Sequence, residues 1–383
     1  MAPLRALVSM PRSWSRVAGV LLVCLFTAVA WRPAASALSR PPADRQADLH
    51  VYLGAIETVR NGRPLYDYAA ENGDPFTYPP FALIVLQPLG WAPEPAVRVA
   101  WTLCTLVIAG LIAAALTRRR VLVMAAALVL VLSAPLQSNL RFGQISVLLV
   151  LLVLVDGLGL TRPRWRGALI GLAAAIKLTP LLFLPYLVLT GQRRAATRAT
   201  GVFVVAAGLA FVALPEDSAR FWTDAVFTTS RVGDLSAGGN QSVNGALLRL
   251  GVLEPVKSAA WLLYAGGLAW AALLWGRRLY ADGRVAEAVV TVGCATLVVS
   301  PVSWTHHQVW LVLAGLVLLA GPGRARRAAG VAVLLVMIFP LAAEARLLCA
   351  AALCCAGLPM EIRAATGAWA ARDGRPLESA RIP

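Results

Sequence analysis

The sequence predicts an all-α, polytopic membrane protein, and three observations predict it. Hydrophobic residues make up 59% of the 383 residues, charged residues only 14%, and the mean hydropathy is +0.71. A soluble chain of this length has too little interior to hide so much apolar surface. Apolar runs near the roughly 18–20 residues that cross a bilayer as helix recur at 17–34, 95–117, 120–136, 143–160, 198–214, 257–276, 284–302, 307–321 and 328–345. Lipid offers the backbone no hydrogen bonds, so such runs are expected as helices. Thirdly, the arginines behind the net charge of +16 fall in short clusters between the runs, as orientation by cytoplasmic cations requires, and not on a nucleic-acid face.

Taken in order, Arg5, Arg12 and Arg16 precede the first run, which reads as an uncleaved anchor with a cytoplasmic N-terminus. Region 35–94 is then external. Within it Leu49, Tyr52, Leu53 and Ile56 recur at helical spacing, an amphipathic helix lying on the membrane. Residues 76–90 are short and proline-interrupted, so they dip or lie flat. The clusters Arg118–Arg120, Arg162–Arg166 and Arg193–Arg198 return to the cytoplasm, with connection 137–142 outside between the first two. Residues 167–190 have basic clusters at both ends and therefore cross an even number of times. Their 24 residues allow two half-length helices meeting at Lys177-Leu178-Thr179-Pro180, where Pro180 supports a break. Loop 215–256 and junction Ser303–His307 are external; Arg277, Arg278, Arg284, Arg324, Arg326 and Arg327 are cytoplasmic. The six cysteines, including the vicinal Cys354-Cys355, lie in apolar stretches without metal spacing and read as small core residues.

This sorting, which uses charge alone, gathers the remaining polar residues on the outer face. Asp48 sits near a helix N-terminus, where it is either a cap or a general base for a hydroxyl. Arg141 is a lone external cation, an interfacial arginine or a phosphate grip. Lys177 within apolar sequence needs an anion, either a lipid phosphate or Asp156. Gly238–Gly245, with Asn240 and Gln241, suits a loop that hydrogen-bonds hydroxyls, or an ordinary turn. His306 and His307 are two of only three histidines; metal binding, proton transfer, phosphate contact and structural packing are all open to them, but only His50 remains as a further histidine ligand. Consecutive helical side chains diverge by about 100°, so one of the pair faces the cavity and the other packs. Together these residues suit transfer of a group from a lipid phosphate to a hydroxyl outside the cytoplasm. A transporter is the alternative of another class, but no inverted repeat is evident and the polar groups lie at one face, not the midplane. A purely structural subunit leaves the one-sided clustering unexplained.

The stretches Asp48–Tyr52, Tyr78-Pro79-Pro80-Phe81, Phe142-Gly143-Gln144, Ala175–Pro180, Gly239–Ser242 and Ser300–His307 resemble glycosyltransferase family 87, a polyprenol-phosphate-sugar-dependent family of the GT-C type. They cover roughly 45–310 in the expected order. The resemblance implies a GT-C fold of roughly 10–12 membrane helices, half-length helices included. Its divisions are a conserved module over 1–214 holding the first outer loop, the outer loop 215–256, and a variable module over 257–383. It implies Asp48 as catalytic base, and His306, His307, Arg141 and Lys177 on the donor phosphate. Tyr78, Gln144, Asn240 and Gln241 then contact substrate. The implied activity is inverting transfer of a sugar, mannose in α-1,2 linkage or else arabinofuranose, from a polyprenyl-phosphate donor to a glycolipid or envelope glycan, at the outer face of the plasma membrane and without a required metal. A lipid-linked-sugar flippase is the non-enzymatic alternative.

Overall fold

The computed structural model describes residues 12–39, 46–339 and 344–357; Arg5 and most of the apolar stretch 347–371 lie outside them. Among the described residues there are seventeen α-helices and no strand. In chain order they are α1 (Arg12–Ser39), α2 (Ala47–Arg60), α3 (Pro80–Leu86), α4 (Glu94–Leu116), α5 (Arg120–Leu132), α6 (Ala134–Phe142), α7 (Ser146–Gly157), α8 (Ala168–Ile176) and α9 (Phe183–Leu189). They continue as α10 (Arg193–Ala213), α11 (Pro215–Arg220), α12 (Val243–Arg249), α13 (Val256–Ala281), α14 (Val285–Val299), α15 (Val309–Ala320), α16 (Arg324–Ile338) and α17 (Ala345–Ala356). The chain is thus an all-α polytopic membrane protein.

Three helices, α4, α10 and α13, are long and apolar enough to cross a bilayer alone, and α5 with α6 makes a fourth if the bent pair is one span. Seven further apolar helical segments of 10–17 residues accompany them. Lipid-facing surface shows directly on α4: Val99, Leu103, Val107 and Leu111 are exposed at four-residue spacing, while Thr102, Thr105, Ala109, Ile112 and Ala113 face the core.

Two departures from a straight crossing shape the site. The run expected over 120–136 breaks at Ser133, where α5 and α6 bend by 65°. Pro135 stands at the second position of α6 and its ring cannot continue the preceding helix. The expected connection 137–142 is therefore itself helical. The second departure is the hairpin at 167–190, present as α8, a 3₁₀ turn Thr179–Leu182 and α9. Both its ends lie beside the first turns of α10. A Cβ on Gly167 would come within 2.1 Å of the Ala195 carbonyl oxygen, and Arg198 donates to the Pro163 carbonyl at 2.6 Å. At the other end α9 runs through Gly191 into α10. Nine helical residues rise only about 14 Å, about half the thickness of a bilayer core.

Asp156 anchors this hairpin. Its carboxylate accepts the N–H groups of Gly167, Leu169 and Ile170 at 2.9–3.1 Å and the Thr161 hydroxyl at 2.8 Å. It caps the positive end of α8, and so it is not the counter-ion of Lys177.

Candidate active site

Asp48 lies in the first turn of α2, not at its cap; the capping position is Gln46, in a left-handed conformation with φ 46°. The turn is held against the end of α6 by Gly143, whose φ of +67° ends that helix. A Cβ at 143 would sit 2.6 Å from Leu49 Cβ, so glycine is what allows α2 to close in. The next residue, Gln144, is buried and hydrogen-bonds the Asp48 carboxylate.

The orientation of that amide is fixed from behind. Tyr78 donates to Gln144 Oε1 at 2.8 Å, and the Tyr52 hydroxyl lies 3.0 Å from that of Tyr78 and 3.4 Å from Oε1. With its oxygen occupied, Gln144 presents Nε2 to Asp48. Burial pushes the Asp48 carboxyl up to about 7; the Gln144 hydrogen bond opposes this rise, Asp74 adds to it and Lys177 opposes it. The residue as a whole is half-buried.

Lys177 Nζ lies over the Tyr78 ring, 5.1 Å from its centroid, and 2.7 Å from His307 Nε2. His307 lies between α14 and α15, outside both helices, in the 3₁₀ turn Thr305–His307. Its Nδ1 accepts the Trp304 backbone N–H at 3.1 Å. Burial, and then Lys177, hold its imidazole well below the ordinary value, so it is neutral. The Trp304 N–H thus reaches one ring nitrogen and Lys177 Nζ the other. Lys177, hydrogen-bonded to His307 Nε2, keeps further N–H groups for an acceptor oxygen in the cleft that both residues line. Both line a cleft of about 470 Å³, mouth included, whose remaining walls are largely apolar, among them Leu149, Val150, Phe183, Leu297 and Trp310.

His306 is the packed member of the pair. It is buried, perpendicular to His307 at 4.4 Å between ring centroids and edge-on to Phe142 at 6.0 Å. Asn139 fixes the turn by donating to the His306 carbonyl at 2.9 Å while accepting the Val147 N–H. Arg141 is peripheral: exposed, stacked over Phe142 at 4.9 Å and outside the cleft lining. His50 turns away to Glu94 at 3.6 Å.

Asn240 and Gln241, expected on substrate, are enclosed and engaged by the backbone. Asn240 accepts the Ser303 N–H at 2.8 Å and donates to the Leu235 carbonyl at 2.9 Å. Gln241 donates to the Gly238 carbonyl at 3.0 Å, and its backbone N–H reaches the Ser303 carbonyl at 2.9 Å. They pin the outer loop to the histidine junction. Arg249 tightens the same loop, donating to the Ala237 and Asn240 carbonyls while forking onto Glu344 at 2.6 and 2.9 Å. Beyond it, Arg346 donates to Thr305 Oγ1 at 3.2 Å. None of Tyr52, Asn139, Arg249, Glu344 or Arg346 was singled out for a role by sequence reasoning; Tyr52 alone carried a signal, lying one helical turn after Asp48. Among the described residues no group of three or more His, Cys, Asp or Glu is placed to hold a metal ion.

The structure thus holds a carboxyl braced by Gln144 and, separately, a largely apolar cleft lined by the hydrogen-bonded Lys177 and His307. Residues 76–301 match the profile of glycosyltransferase family 87. The polyprenol-phosphate-mannose-dependent alpha-(1-2)-phosphatidylinositol mannoside mannosyltransferase of Mycobacterium tuberculosis is 37% identical over 71% of this chain and 69% of its own. The protein of that name from Mycolicibacterium smegmatis is 35% identical over 74% and 70%. A polyprenol-phosphate-mannose-dependent alpha-(1-2)-phosphatidylinositol pentamannoside mannosyltransferase of M. tuberculosis is 32% identical over 85% and 77%. No solved structure matches. The chain belongs to glycosyltransferase family 87 and is an integral-membrane hexosyltransferase.

Proposed function

We propose that this protein transfers mannose from a polyprenyl-phosphate donor to a phosphatidylinositol mannoside, in α-1,2 linkage with inversion, at the extracytoplasmic face. The observation that carries the chemistry is Lys177 Nζ, hydrogen-bonded to His307 Nε2 at the polar end of a largely apolar cleft that both residues line. That end suits the phosphate and the cleft suits the first prenyl units. Mannose, not arabinofuranose, follows the donor named for the relatives, and so does the acceptor. Family membership sets the flippase reading aside.

In the proposed step Asp48 takes the proton of an acceptor hydroxyl. The oxygen forms its bond to the anomeric carbon as the bond from that carbon to the phosphate oxygen breaks, its electron pair remaining on polyprenyl phosphate. A carboxyl with an apparent value near 7 is matched to this work at neutral pH. Lys177 and His307 stabilise the charge that develops on the phosphate; removal of one such donor typically lowers kcat about 10²–10³-fold. This assignment gives a metal no role, and turnover in excess EDTA should equal turnover in its absence.

The test is purified protein in detergent with polyprenyl phosphate mannose and phosphatidylinositol mannoside acceptors, read by mass spectrometry. A hexose added by the wild type and none by a folded Asp48→Asn variant is expected. Near-normal turnover by D48N overturns the base assignment, and transfer only from the arabinose donor overturns the choice of sugar.

A further inference from the structure

Ser303 lines the same cleft and is fully buried, with 0% of its surface exposed. Its backbone is fixed by three hydrogen bonds. The N–H donates to Asn240 Oδ1 at 2.8 Å, and the carbonyl accepts from the Gln241 N–H at 2.9 Å and from Gln308 Nε2 at 3.1 Å. Its hydroxyl has no partner. The neighbouring hydroxyls differ: Ser300 Oγ donates to the Val302 carbonyl at 2.6 Å, and Thr305 Oγ1 accepts from Arg346. An unpaired hydroxyl kept from water opposes folding, and in a native protein it asks for a partner that is not part of the chain. Here it belongs to a residue that lines the cleft shared by Lys177 and His307 and whose backbone is held in place there.

We infer that the Ser303 hydroxyl is a further donor to the leaving phosphate, completing a cradle with Lys177 Nζ and the His307 ring. The inference rests on the reading of this cleft as the site of the donor phosphate. As the anomeric carbon–oxygen bond breaks, charge gathers on that phosphate, and Ser303 adds a hydrogen bond without transferring its proton. The ligand class is a polyprenyl monophosphate, product and donor alike.

The test measures binding of polyprenyl phosphate to the purified full chain in detergent, with thermal melting of each variant alongside. Ser303→Ala should weaken binding about tenfold, the scale of one hydrogen bond to a charged group, and raise KM for the donor but not for the acceptor. Its Tm should not fall, because the variant removes an unsatisfied group. Ser303→Cys keeps the shape with a poor donor and should lose affinity likewise; it decides the matter if the alanine variant does not fold. Ser218→Ala removes another buried, partnerless hydroxyl, one outside this cleft, and should bind as the wild type does. Equal affinity of S303A, S303C and wild type overturns the inference, as does a loss matched by a fall in Tm and by a rise in acceptor KM. Failure of the wild type to bind polyprenyl phosphate overturns the donor reading itself, and the inference with it.

Discussion

Asp48, Lys177 and His307 were legible because titratable residues are scarce in so apolar a chain and expensive to place there without purpose. What each touches was not. Gln144 and Tyr78 were expected on substrate, and in the structure Tyr78 donates to the Gln144 amide that hydrogen-bonds Asp48, while Asn240 and Gln241 bond to the backbone of a loop. An amide that faces a sugar and one that faces a carbonyl read identically in sequence; only the fold chooses the partner. The Asp48 environment predicts a pH profile. A protonated carboxyl cannot accept the hydroxyl proton, so turnover should rise with pH through an apparent pKa of about 7 and then level. Gln144 donates to the charged carboxylate and stabilises it, so Gln144→Leu should move that midpoint to higher pH and slow transfer about tenfold at neutrality, measured by initial rates across pH. The same raised value has a sign for stability. Folding holds the Asp48 proton more tightly than the unfolded chain does, so this group's stabilisation is present below pH 4 and lost as pH rises to 7. D48N should accordingly melt no lower than wild type at pH 8.

Helices as a class were readable, because lipid leaves the backbone no other arrangement. The break at Ser133 was not read, since apolarity continues through it and masks the signal in Pro135. The two short helices of 167–190 were read from charge parity, and the structure contains both, with the first packed on α10. That packing makes a prediction at this scale. A Cβ on Gly171 would lie 2.3 Å from the Ala199 carbonyl oxygen, and the obstacle is backbone that cannot swing aside. Gly171→Leu should push α8 off α10, destabilise the protein by about 1–3 kcal/mol, and displace Lys177 at the hairpin tip. Tm and turnover per folded molecule should both fall; unchanged turnover would mean that the tip is positioned by other contacts.

For the whole molecule, one-sided polarity implies a sidedness that chemical labelling can read. In a cysteine-free background, Ser236→Cys, exposed on the outer loop, should react with a membrane-impermeant maleimide on intact cells, and Arg119→Cys only after permeabilisation. The reverse pattern would invert the proposed orientation. Glu344 lies beyond the stretches that carry the family resemblance, and its contribution was invisible because the Arg249–Glu344 pair spans 95 residues of chain. That pin also sets an order in time. Asp48 leaves the ribosome early, the histidine junction much later, and Glu344 with Arg346 later still. A nascent chain holding every proposed catalytic group therefore still lacks the contacts that Glu344 and Arg346 make with the outer loop and the histidine junction.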